Sequence, residues 1–109
     1  MNRRLLATGV AILAGLTSIP AASATYTAVV SQIQPNHETL DCIFFRLSGV
    51  TAISPASPGD WFAIPRDSAG AMETFAVLLT SRTKGNIAVT VHTSNATACG
   101  YAQAIAVIM

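Results

Sequence analysis

A helix pattern that is closed by a glycine and followed at once by a strand pattern constrains this chain more than any other feature. Between Gly70 and His92, apolar residues first recur at the i, i+3, i+4 and i+7 spacing of one helical face, and the period then changes to two. Asp67 or Ser68 is placed to cap the first turn, and Gly85 can adopt the left-handed conformation that closes a helix. The stretch predicts a helix of about three turns and a half-buried strand over 86–92. The predicted apolar face of the helix consists of Met72, Phe75, Ala76 and Leu79, with Leu78 widening it.

The first 24 residues have the composition of a secretory signal peptide. Arg3 and Arg4 precede an apolar run, and Ala22-Ser23-Ala24 supplies small residues at the positions that signal peptidase recognises. The run is too short for a membrane span, which takes about 20 apolar residues. We therefore expect residues 1–24 to be cleaved, which leaves one domain over 25–109 in a secreted or periplasmic location. The arginine pair leaves a twin-arginine export signal as a minor alternative.

Charge restricts the partners of the remaining domain. Loss of Arg3 and Arg4 leaves four of the six basic side chains against five acidic ones, a net charge of −1. Because no basic cluster is present to neutralise a phosphate backbone, nucleic acid is not an expected ligand. No second apolar segment reaches membrane-spanning length, so we expect no membrane span in 25–109.

The two cysteines of the chain, Cys42 and Cys99, are predicted to form one disulfide. Export to an oxidising compartment favours this pairing. Closing a loop of almost sixty residues would constrain the unfolded chain by roughly 4 kcal/mol. A zinc site that adds His37 and His92 is the alternative, but the chain lacks the short-spaced ligand pair typical of such sites. We therefore expect no metal and no cofactor.

Four further segments have the patterns of β-strands. YTAVVSQIQ, from Tyr26 to Gln34, is apolar and β-branched. DCIFFRL, from Asp41 to Leu47, has large apolar groups on both faces, as covered central strands do. A short apolar strand is predicted over Trp61–Ile64, and an alternating one over Tyr101–Ile108.

The predicted elements follow the order β-β-β-α-β-β. Residues 48–60, rich in proline, glycine and serine, are predicted as an exposed loop, and residues 93–97 as a polar turn. Five strands with a helix between the third and fourth form the order of the OB-fold, a small Greek-key barrel that commonly binds oligonucleotides or oligosaccharides. A plain five-stranded sheet backed by one helix is the competing architecture, because periodicity does not specify strand pairing.

The sequence contains none of the common catalytic motifs, GxSxG, HExxH, the P-loop or GxGxxG, so we expect no enzyme. His37 beside Glu38 is a candidate base pair, although solvated turn residues are the favoured interpretation. Trp61 and Phe62 are candidates for stacking on a sugar or base, but at least one of them is expected in the core. Arg46 is expected to lie over an apolar surface, with binding of a carboxylate ligand as the alternative.

Three segments resemble one protein family: YTAVVSQIQ at Tyr26, DCIFF at Asp41, and AMETFAVLLTSRTKGNIAVTVH ending at His92. They are similar to the B subunit of subtilase cytotoxin and its secreted bacterial relatives, which are OB-fold pentamers of AB5 toxins. The resemblance implies a homopentamer that accompanies a toxin A subunit and binds sialylated glycans on cell surfaces. Family members use a serine early in the first strand and an aromatic residue late in the fourth. The matching positions are Thr27, which keeps the hydroxyl, and His92, which replaces the phenol.

The sequence thus predicts a secreted, non-enzymatic, five-stranded OB-fold-like domain that binds carbohydrate at Thr27 and His92 as a homo-oligomer. An exported protein-binding, inhibitory or structural domain without glycan activity is the alternative. A small enzyme that uses His37 and His92 is the weakest hypothesis.

Overall fold

The computed structural model describes residues 24–109, which form six β-strands and one α-helix. The predicted class, mostly β with one helix, is therefore confirmed. The predicted signal peptide lies outside the described residues except for Ala24, the first residue of β1. The elements are β1 (Ala24–Ala28), β2 (Val30–Gln34), β3 (Cys42–Leu47), β4 (Phe62–Pro65), α1 (Ala71–Thr83), β5 (Val89–Ala98) and β6 (Tyr101–Ile108).

All six strands belong to one sheet, in the order β1-β5-β6-β4-β3-β2. Neighbouring strands are antiparallel, except that β4 and β6 run parallel. β1 and β2 lie at opposite ends of this order, although only Val29 separates them along the chain. One short run of chain therefore contributes both ends of the sheet.

The prediction of a single strand over Tyr26–Gln34, and with it of five strands, is wrong, and the predicted OB-fold-like barrel is not confirmed. The structure has six strands, and their pairing order is open. The chain changes partners at Val29: Ala28 pairs with β5, whereas Val30 pairs with β3. The Ser48 N–H donates to the Val29 carbonyl at 2.8 Å, which satisfies this oxygen where the strand is interrupted.

A β-bulge follows the interruption. The register of β2 on β3 shifts between Val30 and Gln32. The extra residue in the bulge shifts the alternation of inward and outward side chains. Ile33, rather than Gln32, is therefore the next residue after Val30 that packs against the core. Arg82, in the last turn of α1, donates from Nη1 to the carbonyls of Val30 and Ser31 at 3.0 and 2.6 Å. The last turn of the helix thereby supplies a hydrogen-bond donor for the two carbonyl groups at the bulge.

One hydrophobic core lies between the inner face of the sheet and α1. The rings of Phe45 and Phe62 stack at its centre with 5.1 Å between centroids, and both are fully buried. Tyr26 and Ala28 pack against the core from β1. Every strand of the sheet contributes to it. Its buried members are Val30, Ile43, Phe45, Leu47, Ile53, Phe62, Ile64, Ala71, Leu78, Val89, Val91, Ala102 and Ala104.

The helix has the predicted period, and of its predicted apolar side Leu78 is buried and Phe75 packs against the core, but the centre of the buried face differs. Ala71, Leu78 and Ser81 are buried. Met72 and Leu79, predicted to face the core, are 58% and 43% exposed. Met72 and Leu79 each follow a buried residue, Ala71 or Leu78, by one position, so they lie about 100° away around the helix axis and face solvent. Within residues 24–109, no helix is long and apolar enough to cross a membrane.

The prediction is wrong for the N-terminal end of α1 and correct for its C-terminal end. Gly70, with φ of 80°, is the N-cap residue and no side chain caps the helix, so the predicted role of Asp67 or Ser68 is wrong. Gly85 adopts φ of 94° just after the helix, as predicted for a residue that closes it.

β5 is ten residues long and continues through residues 93–97, which were predicted as a turn. Thr93 is fully buried there, and its hydroxyl donates to the Ser54 carbonyl at 2.9 Å, so an inward-facing polar residue is tolerated. The turn consists instead of Cys99 and Gly100. Both residues have positive φ, 54° and 84°, as a two-residue type I′ hairpin requires.

The predicted disulfide between Cys42 and Cys99 is confirmed, with the sulfurs 2.04 Å apart. The bond joins the β5–β6 turn to the first residue of β3. Because both sulfurs are joined to each other, the alternative zinc site that includes His37 and His92 does not form in this structure. Residues 24–109 contain no group of three or more potential metal-ligating side chains.

The loop over residues 48–60 is tied to the core at its centre rather than exposed throughout. Ile53 is only 3% exposed. The Ser54 N–H donates to the Tyr26 hydroxyl oxygen at 2.7 Å, and the Ser54 carbonyl accepts from Thr93. The loop is thus held between β1 and β5, with both main-chain groups of Ser54 satisfied.

Replacing both Cys42 and Cys99 by alanine is expected to lower the free energy of unfolding by about 4 kcal/mol, because the disulfide closes a loop over a separation of 57 residues. Urea unfolding of oxidised wild type and of the double variant measures this difference. Equal midpoints and slopes for the two proteins would contradict the expected contribution.

Tyr26→Phe is expected to cost about 1–2 kcal/mol of unfolding free energy, because the half-buried Ser54 N–H loses its acceptor. Tyr101→Phe is the matched control, since within residues 24–109 the Tyr101 hydroxyl has no hydrogen-bond partner. Its expected effect in the same urea titration is within about 0.5 kcal/mol. Similar losses in the two variants would show that the Tyr26–Ser54 bond does not stabilise the loop.

Candidate functional site

Both residues predicted to bind carbohydrate lie on the β1–β5 strand pair. Thr25 is opposite His92 and Thr27 is opposite Thr90 in the register. Thr25 Oγ1 lies 2.9 Å from His92 Nδ1, and Thr27 Oγ1 lies 3.0 Å from Thr90 Oγ1. The structure therefore brings Thr27 and His92 to one surface. We call these four residues the threonine–histidine patch.

The patch faces solvent because the alternate residues of the same strands face the core. Val91, between Thr90 and His92, is fully buried. On the far side of β5, the register places Ala106 of β6 opposite His92, and Ile108 opposite Thr90. Ile108 is 55% exposed, so the polar patch has an apolar border.

The patch presents hydroxyl and imidazole groups without a formally charged side chain. Each threonine hydroxyl has one donor and two acceptor positions, so its single bond across the strands leaves further capacity for a ligand. The Thr25–His92 pair has the spacing of a hydroxyl and a general base. Within residues 24–109, however, His92 has no second partner, and the third group that orients the base in such pairs is therefore not observed.

A concave surface lies elsewhere on the outer face of the sheet, over β3. Its cavity has a volume of about 130 Å³. Phe44 of β3 is 3% exposed, and the ring of Tyr101 packs edge-to-face against it at 5.1 Å. The His37 ring lies 6.1 Å from Phe44, also edge-on. We call the residues that line this cavity the aromatic pocket: Gln34, His37, Leu40, Phe44, Trp61 and Tyr101.

Trp61 is fixed in the aromatic pocket by contacts on several sides. The Arg46 guanidinium lies 5.4 Å from the ring centroid and donates to the Gln32 side-chain oxygen at 3.0 Å. A Cβ at Gly59 would approach Trp61 Cδ1 to 3.0 Å, so a larger residue would displace the indole. The Ser57 hydroxyl donates to the Trp61 carbonyl at 2.6 Å. Arg46 thus lies over an apolar ring, as the favoured sequence interpretation expected.

Phe62 and Trp61 lie on opposite faces of the sheet, because neighbouring residues of an extended chain point in opposite directions. Phe62 is fully buried in the core, whereas Trp61 is half-buried and borders the cavity. The expectation that at least one of the two lies in the core is therefore confirmed, and only Trp61 is available to a ligand.

Several polar groups of the aromatic pocket are free to bind a ligand. Within residues 24–109, neither the Tyr101 hydroxyl nor the Trp61 indole N–H has a hydrogen-bond partner. His37 Nδ1 accepts from the Thr39 N–H at 3.2 Å, which assigns the ring hydrogen to Nε2. His37 is thus bonded to Thr39, and no bond joins it to the exposed Glu38 among the described residues.

A wider groove of about 650 Å³ adjoins the aromatic pocket between β2 and the C-terminal half of α1. Trp61 and Gln34 border both spaces, whereas Leu79 and Thr83 border only the groove. Arg82 also borders the groove, but its guanidinium is occupied by the carbonyls of β2.

The sequence patterns did not predict the aromatic pocket as a site. Its residues come from the end of β2, the segment before β3, β3 itself, the residue before β4 and the start of β6. Two signals pointed to parts of it: Trp61 is a sequence candidate for stacking on a sugar or base, and the second apolar face of the strand at Cys42–Leu47 requires cover.

A scan of protein-family models, a search of curated proteins and a search of solved structures each found no match. The resemblance to toxin B subunits and the binding roles of Thr27 and His92 therefore stay predictions.

Proposed function

We propose that residues 25–109 form a secreted or periplasmic, non-enzymatic domain that binds carbohydrate at the threonine–histidine patch. The observation that carries this proposal is the alignment of Thr25 with His92 and of Thr27 with Thr90 on one exposed surface. Sugar hydroxyls are both donors and acceptors, and they match the unused positions of threonine hydroxyls and an imidazole. A flat patch of this kind gives weak binding at one site, so useful affinity requires several copies.

We also propose that the domain is a variant of the OB-fold. When β1 and β2 are counted as one interrupted strand, the elements run β-β-β-α-β-β, with α1 between the third and fourth strands. The continuous chain at Val29 then joins the two ends of the sheet, and residues of every strand share one core. A partly open barrel is compatible with the OB-fold.

A homo-oligomer, of five copies if the toxin resemblance holds, would provide the multiple sites. This is supported by the exposed stripe of Met72, Ala76 and Leu79 along α1. Contiguous exposed apolar surface commonly marks a surface that a partner covers. In the resemblance that motivates the proposal, such an oligomer delivers a toxin A subunit.

A protein-binding, inhibitory or structural role is the second candidate. One exposed apolar residue beside the patch favours it: Ile108 lies opposite Thr90 and is 55% exposed. Ile105 and Met109, elsewhere in the last nine residues, are also exposed, at 60% and 53%. A single protein partner bound by wild type, together with no glycan binding, would support this role instead.

Thr27→Val and His92→Ala are each expected to weaken glycan binding at least tenfold, because each removes a hydrogen-bonding group and multivalency amplifies the loss. Binding of the labelled protein to an array of sialylated and neutral glycans measures this. Thr51→Val, which alters an exposed threonine outside the patch, is the control. No glycan bound by wild type, or equal binding by all four proteins, would contradict the proposal.

Replacing Met72 and Leu79 together by glutamine is expected to convert the oligomer to monomer, because the exposed stripe would lose its apolar character. Glu73→Gln, an exposed change on the same helix, should leave the oligomer intact. Sedimentation velocity measures the distribution. A monomeric wild type would contradict the multivalent proposal.

A further inference from the structure

The aromatic pocket is a site that the proposed function does not use. It shares no residue with the threonine–histidine patch, and it combines a concave shape, three aromatic side chains and several polar groups without a partner. Small-molecule sites in proteins have this composition, with apolar walls and a few polar groups that fix the orientation of the ligand. We propose that the aromatic pocket binds one neutral pyranose ring.

The size of the cavity limits the ligand to one ring. Its volume of about 130 Å³ is below the roughly 300 Å³ at which sites for drug-sized ligands begin. Leu40 and Phe44 supply apolar walls, and an oligosaccharide would have to extend beyond them into solvent.

The charge of the site favours a neutral ligand. None of the six lining residues is Asp, Glu, Lys or Arg. The nearby Arg46 guanidinium lies over Trp61 and donates to Gln32, so it is already engaged. A carboxylate or ammonium group that enters the cavity would lose water without gaining a charged partner, which is unfavourable.

The polar groups favour a sugar over a flat aromatic ligand. The C–H face of a pyranose packs against aromatic rings, and its hydroxyls can reach donors and acceptors at the edge of the ring. Tyr101, Trp61 and His37 Nε2 offer these groups. An aromatic hydrocarbon would leave them without partners in a partly dehydrated site, which costs binding free energy.

Trp61 makes the test direct, because it is the only tryptophan in the chain and it borders the cavity. Its emission is to be followed during titration of the full domain with the methyl glycosides of glucose, galactose, mannose and N-acetylglucosamine. We expect a saturable change with at least one of them. The expected dissociation constant is on the order of 1 mM, as a ligand of about a dozen non-hydrogen atoms allows.

His37→Ala and Tyr101→Phe are expected to weaken this response at least fivefold. Each removes a group that borders the aromatic pocket but not the adjoining groove. Two controls are expected to leave it unchanged: Thr83→Ala, which alters only the groove, and His92→Ala, which alters the chain's other histidine in the patch. The paired histidine variants separate the two sites, because His37→Ala should preserve the array binding that His92→Ala weakens at least tenfold.

Three results would overturn the inference. One is the absence of a saturable change with every glycoside up to about 100 mM, a hundredfold above the expected dissociation constant. Another is a response to phenol or indole with none to sugars, which would identify a site for flat aromatic ligands. The third is loss of the response in Thr83→Ala but not in His37→Ala, which would place the ligand in the groove. Failure of the glycan array with a retained Trp61 response would remove the proposed function alone.

Discussion

The fold depends on one run of chain that pairs with both ends of the sheet. β1 pairs with β5 and β2 pairs with β3, and Val29 alone lies between them. Because Val29 joins the two strands covalently, each pairing restricts the movement of the other half of the run. A bulge between Val30 and Gln32 follows the change of partner, and Arg82 of α1 donates to the carbonyls of Val30 and Ser31 there. Arg82 thus links α1 to the bulge in β2, and Val29 links β2 to β1 at the other end of the sheet.

This arrangement gives the outer face of the sheet two different surfaces. Over β3 the residues Cys42 and Phe44 face outward and need cover, which the disulfide-linked β5–β6 turn and Tyr101 supply. The cover is incomplete, and the space that it leaves is the aromatic pocket. Over the β1–β5 pair the outward residues are threonine and histidine, which need no cover. One surface is therefore concave and aromatic, and the other is flat and polar.

The sequence predicted those features that depend on neighbouring residues. The helix period, the closing Gly85 and the covered strand over Cys42–Leu47 follow from local pattern, and the disulfide follows from there being only two cysteines. Features that depend on distant partners were missed. The 93–97 segment is a strand because it pairs with β6, and the buried Thr93 at its start also bonds Ser54, a partner 39 residues away. The helix buries the small residues Ala71 and Ser81 on the side of the predicted Leu78, and the pattern of large apolar residues does not reveal this. The aromatic pocket was missed because five separate segments form it.

Hydrogen exchange of the native protein tests most directly whether the run through Val29 holds the sheet together. The amides of β1 and β2 that point toward β5 and β3 are predicted to exchange only by global unfolding, with the same opening free energy as amides of β3 and β5. Such a result requires both halves of the run to be released in one cooperative step. Exchange of β1 at a distinctly lower opening free energy, while β2 stays protected, would show that the two halves are independent and would contradict this account.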